Sequence, residues 1–454
     1  MERKVAEFIR KRRLIGAGDR VLAAFSGGPD STVLLRVLHS LAGELDFFLE
    51  ALHIHHRLRP VEADQDEAFC RQEADRLGVP ILVERLEAWH GQAGNLEERM
   101  RQERNAIYGR YLDRGFGRVA LGHTLDDQAE TVLMRLCRGA GLTGLGGMAP
   151  AGPGGLIRPL LAVSRQEVMQ YLREKGLEYR LDSSNLSPEF LRNRVRSRLM
   201  PVLADTFHPR AARVIARSAS VVREEAAALR WLLRQWLEAA VTREPGVLTL
   251  PAARLLDQPG FLRPSLVREA LREARGDLRG LARGHISAIL ALAARSRSGS
   301  RLRLPGGFEV RLDFGRLRFG PPVAPLPPFR HAVTAPARIT IPETGEHYRV
   351  ERGIGPGAIS AQSRSFFAPC GVVIFRNFRP GDRIACAGGH KKLKKLFQER
   401  QIPVFLRSRL TLVTGGEGQI LWIPSISWSL CYNNSCMADS AGAITVERLE
   451  NDCT

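Results

Sequence analysis

The sequence predicts an α/β protein in three parts: an N-terminal domain built on a parallel sheet, an all-α middle domain and a small β-rich α+β C-terminal domain. Three patterns support this prediction. Short apolar runs alternate with helix-length segments from residue 1 to about 205, residues 212–294 carry apolar side chains at helical spacing, and short strands separated by Gly and Asp turns follow a Pro-rich segment. A chain of 454 residues also exceeds what one hydrophobic core normally serves.

The first domain, residues 1–205, is expected to contain four parallel strands. The apolar runs lie at residues 20–25, 48–53, 80–85 and 118–122, and a helix-length segment follows each of them. This spacing suits right-handed crossover connections. Because open α/β sheets bind ligands at the carboxyl ends of their strands, residues directly after these runs are the first candidates for a functional site.

The rest of the chain divides at its prolines. The mainly helical middle domain spans residues 206–320 and ends in a predicted hairpin at residues 301–319, around Gly306 and Gly307. Residues 321–345 begin with several prolines, which favour an extended linker. The C-terminal domain, residues 346–454, is expected to hold short strands at residues 371–375, 409–414 and 419–424, and one basic helix beginning near His390.

The charge balance indicates a polyanionic partner. The formal net charge is +19 and the sequence pI is about 10.5, with Arg spread through every region. Such an excess favours binding to nucleic acid. An Arg-rich coding bias on a solvated surface is the alternative, and it explains Arg in place of Lys but not the excess of positive charge.

Cysteine usage and the N-terminus indicate a cytoplasmic protein. The seven cysteines include no Cys-x-x-Cys pair, which argues against a disulfide framework and against a Cys-rich zinc site; Cys431 and Cys436 are the closest two. Residues 1–13 predict a charged amphipathic helix rather than a secretory signal, and no apolar run is long enough to span a membrane.

Residues 26–31 connect a predicted buried strand to a predicted helix. The segment consists of Ser26, Gly27, Gly28, Pro29, Asp30 and Ser31. Adjacent glycines let backbone N–H groups turn toward one centre, Ser hydroxyls add donors, and a helix N-terminus attracts anions. We therefore predict a phosphate-binding loop for ATP, with Asp30 as a catalytic residue and Mg²⁺ ligand.

An ordinary glycine turn with a helix cap would use the same residue types as this loop. Placement after the first strand of a parallel sheet favours phosphate binding instead. The loop is not a Walker A motif, since Gly-x-x-x-x-Gly-Lys-Ser/Thr is absent from the chain. Residues 139–144 match Gly-x-Gly-x-x-Gly but follow a helical stretch, so we do not interpret them as a dinucleotide site.

A second motif, residues 122–131, lies at the end of the fourth predicted strand and opens a helix. Asp127 and Glu130 are three residues apart, so both carboxylates project from one face of its first turn. Such a pair could bind a cationic amine or accept its proton. Acidic residues also favour helix N-termini because they interact well with the helix dipole. The nearby phosphate loop favours the functional interpretation, in which the two carboxylates bind an amine.

Together the two motifs resemble a known family. Ser-Gly-Gly-x-Asp-Ser followed by His-x-x-Asp-Asp-Gln-x-Glu-Thr is similar to the PP-loop ATP pyrophosphatases, and specifically to tRNA(Ile)-lysidine synthases. The resemblance continues through residues 138–145, 158–161, 182–185 and 192–196, and reaches the C-terminal domain at residues 379–383 and 391–397. It implies an adenine nucleotide α-hydrolase-like fold for the first domain and tRNA binding by the other two.

The resemblance also implies a two-step reaction. ATP adenylates the C2 oxygen of the wobble cytidine of an isoleucine tRNA with a CAU anticodon, releasing pyrophosphate, and the ε-amine of free L-lysine then displaces AMP. Asp127 and Glu130 would hold and deprotonate that lysine.

Several basic side chains are candidates for contact with the tRNA. We expect contributions from the following residues: Arg101, Arg104, Arg192, Arg196, Lys391, Lys392, Lys394 and Lys395. As exposed cations they could equally be solvated or paired with carboxylates. The sequence leaves the oligomeric state open, including a homodimer.

Three other functions remain under consideration. A tRNA thiolase of the same superfamily would also adenylate a base, but such enzymes commonly rely on Cys pairs. An amide ligase of small molecules fits poorly with the basic charge. An RNA-binding protein with a vestigial nucleotide site is disfavoured by the intact loop and by Asp127 and Glu130.

Overall fold

The structure is a computed structural model that describes residues 1–57, 60–86, 96–180, 191–295, 297–353, 363–367, 371–386, 389–426 and 443–449. The chain forms two compact units, Met1–Arg230 and Trp231–Thr454. Asn185 and the rest of the 182–185 motif, like Cys431 and Cys436, lie outside the described residues.

The first unit is built on a parallel five-stranded sheet in the order β3-β2-β1-β4-β5. Its strands are β1 (Arg20–Ala24), β2 (Phe48–His55), β3 (Ile81–Arg85), β4 (Arg118–Ala120) and β5 (Leu156–Ile157). The four strands predicted from sequence are confirmed, and β5 is an addition too short to give a sequence signal. Because β1 lies between β2 and β4, the order in which the chain adds strands reverses at β1. Ligand crevices form at such reversals in open parallel sheets.

Helices pack on both faces of this sheet, and further helices follow along the chain as far as residue 240. They are α1 (Glu2–Arg12), α2 (Pro29–Leu41), α3 (Pro60–Leu77), α4 (Leu96–Asp113), α5 (Leu125–Cys137), α6 (Leu142–Leu145), α7 (Arg165–Glu174), α8 (Leu191–Arg194), α9 (Met200–Thr206) and α10 (Ala211–Ala240), with a π-helical turn at Val195–Leu199 and 3-10 turns at Pro153–Gly155 and Pro159–Ala162. One apolar core joins α1, α2 and α7 to the sheet, and α4 packs in a second core on the other face. The predicted α/β fold of the first domain is thus confirmed.

The second unit begins with the mainly helical region predicted for the middle of the chain. Its elements are α11 (Ala252–Leu256), α12 (Arg263–Arg275) and α13 (Arg283–Ala293), and an antiparallel sheet ordered β6-β7-β10-β9-β8, made of β6 (Thr242–Glu244), β7 (Val247–Pro251), β8 (Ser300–Leu304), β9 (Phe308–Asp313) and β10 (Arg316–Gly320). The helices and the hairpin at residues 301–319 are present. Residues 242–251 form strands rather than helix, because Leu248 and Leu250 alternate into the buried face of the sheet.

The C-terminal part of this unit is β-rich, as predicted. Its strands are β11 (Arg330–Thr334), β12 (Ala337–Ile341), β13 (Glu346–Arg352), β14 (Ser363–Phe367), β15 (Val372–Asn377), β16 (Arg383–Cys386), β17 (Gly389–Lys392), β18 (Thr411–Thr414), β19 (Ile420–Trp422) and β20 (Ala443–Leu449). They form antiparallel sheets ordered β11-β15-β18-β19 and β12-β13-β20-β14, and β16 pairs with β17. Two short helices, α14 (Leu393–Glu399) and α15 (Val404–Arg407), complete it.

The predicted linker and basic helix both prove shorter than expected. Residues 321–329 form neither helix nor strand, but β11 and β12 occupy much of the predicted 321–345 region. Helix α14 begins at Leu393, so Lys391 and Lys392 lie on strand β17 instead. Leu393, Leu396 and Phe397 face the core at helical spacing, whereas the preceding lysines pair with β16. The finer domain boundaries remain predictions.

Among the described residues, no helix is both long enough and apolar enough to cross a membrane.

Candidate active site

The loop between β1 and α2 is shaped by its two glycines and by Pro29. Gly27 has φ of +81°, which an L side chain rarely adopts, and Gly28 is the N-cap of α2 with Pro29 in the first helical position. A Cβ on Gly27 would lie 3.2 Å from the ring of Phe69, so the backbone there also passes close to a neighbouring helix. The loop thus turns directly into the N-terminus of α2, where backbone N–H groups attract anions.

The two serines of the loop fasten it together. The Ser31 hydroxyl donates to the Gly28 carbonyl (2.9 Å) and accepts from the Ser26 N–H (3.2 Å), while the Ser26 and Ser31 hydroxyl oxygens are 3.1 Å apart. These contacts bring the hydroxyls of both residues to one point beside the helix N-terminus. The geometry agrees with a cradle for phosphate oxygens.

Asp30 lies in the first turn of α2, and the pKa of its carboxyl group is raised. Burial, followed by the negative charge of Asp127, raises the pKa of Asp30 to about 6, although Arg165 and Arg196 act in the opposite direction. Its Oδ1 is buried and makes no hydrogen bond within the described part of the chain. An unpaired carboxylate oxygen beside a phosphate cradle fits a Mg²⁺ ligand, since Mg²⁺ is usually held by one or two carboxylates together with substrate phosphates.

The second motif contacts the first through Gly122. A Cβ on Gly122 would lie 3.3 Å from the backbone of Asp30 and of Ser31, so a side chain there would require the two tightly packed segments to move apart slightly. Thr124 then caps α5: its N–H and hydroxyl donate to Asp127 Oδ2 at 2.8 and 2.9 Å. The two motifs predicted to share a crevice are therefore adjacent.

Asp127 and Glu130 form a four-membered cluster with Arg192 and Arg196. Asp127 Oδ1 accepts from Nη2 of Arg192 (2.9 Å) and of Arg196 (3.1 Å). Glu130 accepts from Nε of Arg192 (2.9 Å) and Nε of Arg196 (2.6 Å). Two carboxylates and two guanidinium groups balance in charge, and the helical segment that begins with α8 is thereby attached to α5.

The cluster decides the ionisation of Asp127. Burial raises the pKa of this carboxyl, but Arg192, the N–H of Thr124 and Arg196 together outweigh burial and hold the pKa below its usual range. Asp127 is therefore ionised at neutral pH. It is suited to holding a cation more than to holding a proton.

His123 is a site residue to which the sequence analysis assigned no role. Burial, and then the positive charges of Arg158, Arg192 and Arg104, lower the pKa of His123 to about 4 despite the opposing charge of Asp127. The imidazole is thus neutral at pH 7, and its Nδ1 is buried without a hydrogen bond in the described residues. The only sequence signal was its place at the head of the second motif.

Side chains around α5 hold the glycine-rich segment 139–148 by its carbonyl groups. Gln128 bonds both the N–H and the carbonyl of Met148, at 2.7 and 3.1 Å. Arg135 Nη1 donates to the carbonyls of Gly144 (3.0 Å) and Gly147 (2.8 Å). This segment follows helix α5 and not a strand. A dinucleotide-binding loop would follow a strand, so the segment does not have the context of such a loop.

The remaining predicted tRNA contacts lie in two places. Arg101 and Arg104 are exposed on α4 in the first unit and make no hydrogen bond or ion pair within its described residues. Arg104 is close enough to His123, and Arg101 to Arg158, to help lower the pKa of each. In the second unit Lys391 pairs with Glu399, whereas three lysines are exposed: Lys392, Lys394 and Lys395.

No group of three or more His, Cys, Asp or Glu side chains in the described ranges could hold a metal ion by itself. A Mg²⁺ ion at Asp30 would take its other ligands from substrate phosphates and water.

Comparison with known proteins places both ends of the chain in one family. Residues 1–203 match the PP-loop domain model, and residues 373–439 match the model of the TilS substrate C-terminal domain. A solved structure titled as the U34-tRNA thiolase NcsA from Methanococcus maripaludis, with its [4Fe-4S] cluster, is 20% identical over 49% of this chain and 77% of that chain, with a TM-score of 0.41. That similarity is too low to bear on function.

Full-length relatives are more informative. The tRNA(Ile)-lysidine synthase of Symbiobacterium thermophilum is 34% identical over 98% of this chain and 97% of its own. The tRNA(Ile)-lysidine synthase of Geobacter sulfurreducens is 36% identical over 93% of this chain and 92% of its own. With both motifs in place at the carboxyl edge of the sheet and a match that spans nearly the whole chain, this protein belongs to the tRNA(Ile)-lysidine synthase family.

Proposed function

We propose that this protein joins free L-lysine to C2 of the wobble cytidine of isoleucine tRNA with a CAU anticodon, converting ATP to AMP and pyrophosphate. The observation that carries the proposal is the contact between the phosphate loop and the Asp127–Glu130 motif across Gly122, in a chain of this family. One site then offers a place for triphosphate and a place for an amine. The reaction takes place in the cytoplasm, where tRNA and ATP are available.

In the first step the cytidine C2 oxygen attacks the α-phosphorus of ATP and pyrophosphate leaves. Backbone N–H groups at the start of α2 and the hydroxyls of Ser26 and Ser31 hold the phosphate oxygens, stabilising the charge that develops on the leaving group. Asp30 would hold a Mg²⁺ ion through its unpaired oxygen, and that ion would supply further neutralisation of phosphate charge.

In the second step the ε-ammonium of lysine first loses a proton, its nitrogen then attacks C2 as the C–O bond to AMP breaks, and the nitrogen loses a second proton. Asp127 and Glu130 hold the ammonium group and accept the first proton, and the second passes to water. In the structure both carboxylates are paired with Arg192 and Arg196, so an incoming ammonium must replace a guanidinium group. Phosphates of bound tRNA are natural new partners for the two arginines, which links lysine binding to RNA binding.

The base must also reach the site. The wobble position lies in a single-stranded loop, where a base is turned into a pocket without opening a duplex. Arg101 and Arg104, exposed and unpaired in the described part of α4, would receive backbone phosphates. Lys392, Lys394 and Lys395 would hold another part of the tRNA.

Nucleoside mass spectrometry tests the proposal. The protein is incubated with ATP, lysine and the CAU-anticodon isoleucine tRNA, and the tRNA is then digested. We expect a lysine-sized mass gain on one cytidine, dependent on both ATP and lysine. A thiolated base would establish the thiolase alternative instead, and unmodified cytidine would remove the proposal.

A further inference from the structure

A cavity of about 200 Å³ opens in the first unit on the far side of α5 from the Asp127–Glu130 cluster. Leu125 and Gln128 of α5 line it, and these residues are offset by two positions from Asp127 and Glu130. Two positions correspond to about 200° around a helix, so the cavity and the cluster flank the same helix, roughly one helix diameter of 10 Å apart. No step of the proposed reaction uses this cavity.

Four of the residues that line the cavity are arginines: Arg12, Arg213, Arg217 and Arg223. Arg223 is anchored by its bonds to the carbonyls of Gly146 (2.8 Å) and Met148 (3.0 Å). Arg12 pairs with the exposed Glu224 at 3.1 Å. Two of the four arginines are thus fixed in place. Among the described residues, Glu224 is the one carboxylate that forms an ion pair with any of the four.

The other two arginines have no partner among the residues that the structure describes. Arg213 and Arg217 are exposed and make no hydrogen bond or ion pair within the described ranges. They lie four residues apart on α10, where like charges repel each other. Four arginines around one cavity, with Glu224 as their single ion-pair partner in the described ranges, leave an excess positive charge that an anion would neutralise.

The floor of the cavity is apolar. It is formed by Phe8, Leu125, Pro150 and Leu161. A purely inorganic anion gains nothing from such a floor, whereas a nucleotide offers a flat base for it and a phosphate for the arginines. The volume is below that of an ordinary drug-sized pocket, which limits the occupant to about one nucleotide.

We infer that this cavity binds one nucleotide of the RNA substrate close to the reacting cytidine, with the phosphate on Arg213 and Arg217 and the base on the apolar floor. The inference rests on the proposed function for the identity of the RNA. The cavity lies across α5 from the Asp127–Glu130 cluster, so it gives the protein a second contact with the RNA that enters the active site. It thereby positions the target base without contacting the reacting atoms.

RNA binding by the full-length protein tests this inference separately from catalysis. The double variant Arg213→Ala/Arg217→Ala is titrated with the tRNA and with its isolated anticodon stem-loop over a range of KCl concentrations. We expect an affinity about five- to twentyfold weaker at 0.1 M salt, and a salt-dependence slope smaller by about one to two, for both RNAs. Arg213→Lys/Arg217→Lys should recover most of the affinity because it restores the charge.

Arg173→Ala is the matched control, since Arg173 is equally exposed on α7 and does not line the cavity. Thermal unfolding of each variant establishes that the fold is intact. Unchanged affinity and slope in the double variant overturn the inference even if the wild-type protein makes lysidine. A loss with tRNA but not with the stem-loop also overturns it, since the contact would then be remote from the anticodon. Weaker binding of free CMP with unchanged RNA binding would identify a mononucleotide site, and equally contradict it.

Discussion

Asp127 is the residue on which the second half-reaction depends. One of its oxygens accepts hydrogen bonds from Arg192 and Arg196, and the other accepts from the N–H and hydroxyl of Thr124. Substitution by Asn keeps an acceptor oxygen for the cap of α5, removes the negative charge and replaces the oxygen that faces Arg192 and Arg196 by an N–H2 donor. The variant therefore separates the electrostatic role of Asp127 from its structural role.

Asp127→Asn should retain ATP binding and tRNA adenylation while lysidine formation falls by about a hundredfold or more, because the ammonium loses its counter-charge. The two activities are measured as lysine-independent transfer of labelled AMP to tRNA and as lysidine content. Glu174→Gln, at an exposed position on α7, is expected to behave as wild type. Full lysidine formation by Asp127→Asn would contradict the role assigned to Asp127.

Asp30 should make stability depend on pH. Its pKa of about 6 in the folded protein exceeds the ordinary value of 3.8, so the folded state favours the protonated carboxyl. The stabilisation is complete below about pH 4 and is lost as the pH rises through 6. The difference corresponds to at most about 3 kcal/mol at neutral pH.

Asp30→Asn removes this titration, so the variant should gain in Tm over wild type between pH 4.5 and pH 7.5 in the absence of ATP and Mg²⁺. Thermal unfolding at both pH values measures the gain. Asp113→Asn, at an exposed position of α4, should show no such trend. A Tm difference that stays constant with pH would show that Asp30 does not carry the raised pKa.

The roles of individual residues were only partly visible in the sequence. The sequence predicts that Asp127 and Glu130 act together because they are three residues apart on a helix. It predicts that Asp30 belongs to the phosphate loop because Asp30 closely follows two glycines at the end of a strand. Arg192 and Arg196 lie 62 to 69 residues from the carboxylates they contact. No local periodicity reports a contact of that range, which only the folding of the chain creates.

At the level of elements, the phosphate loop depends on two glycines that do different things. Gly27 adopts φ of +81° and has a close neighbour at 3.2 Å, whereas Gly28 has φ of −70° and its nearest contact, Ser26 Oγ, would be 3.6 Å from an added Cβ. An L side chain is thus strained at the first position and tolerated at the second.

Gly27→Ala should lower the free energy of unfolding by about 1 to 2 kcal/mol because it forces a left-handed conformation on alanine. Gly28→Ala is the matched control and should change it by no more than about 0.5 kcal/mol. Urea unfolding of the two variants supplies the comparison. Equal destabilisation by both would show that the loop does not have this conformation.

The basic segment of the C-terminal region is split between a strand and a helix. Lys391 on β17 pairs with Glu399, whereas Lys392, Lys394 and Lys395 are exposed. A run of lysines does not reveal where a short strand ends and a helix begins. The sequence therefore predicts a helix for the whole run, although the strand extends to Lys392. The buried Leu393, Leu396 and Phe397 fix the helix start.

Replacing Lys392, Lys394 and Lys395 together by Ala should weaken tRNA binding and reduce its salt-dependence slope by about two to three, one for each lost phosphate contact. Lys391→Ala serves as the control and should change the slope by less, since that lysine already has a carboxylate partner. Titrations with tRNA at several salt concentrations measure both. An unchanged slope in the triple variant would exclude this segment from the RNA interface.

At the level of the whole molecule, the sequence predicts what depends on repetition along the chain and misses what depends on contacts between distant segments. The long alternation of apolar runs and helices indicates a parallel sheet. Strands β6 and β7 were missed because such short apolar runs, next to long helices, carry a periodicity too weak to assign. The order of strands, which brings the two motifs together across β1 and β4, follows from the connection rules of such sheets.

The net charge of +19 is also a property of the whole chain. It agrees with a tRNA substrate and with exposed basic side chains in both units that have no ion-pair partner in the described parts of the chain: Arg101, Arg104, Arg213, Arg217, Lys392, Lys394 and Lys395. Charge on this scale raises the rate of encounter with RNA and does not select one tRNA. Selection must come from the nucleotides held near the site.

If one site performs two separable steps, the adenylated intermediate can be trapped before lysine is supplied. The protein is mixed with ATP and the CAU-anticodon isoleucine tRNA without lysine, and the digested RNA is examined for adenylated cytidine. Lysine is then added. We expect adenylated cytidine to accumulate with release of pyrophosphate, and lysine to convert it to lysidine with release of AMP. Lysidine formation without any adenylated intermediate, or adenylation of the lysine instead of the tRNA, would rule out this two-step reaction.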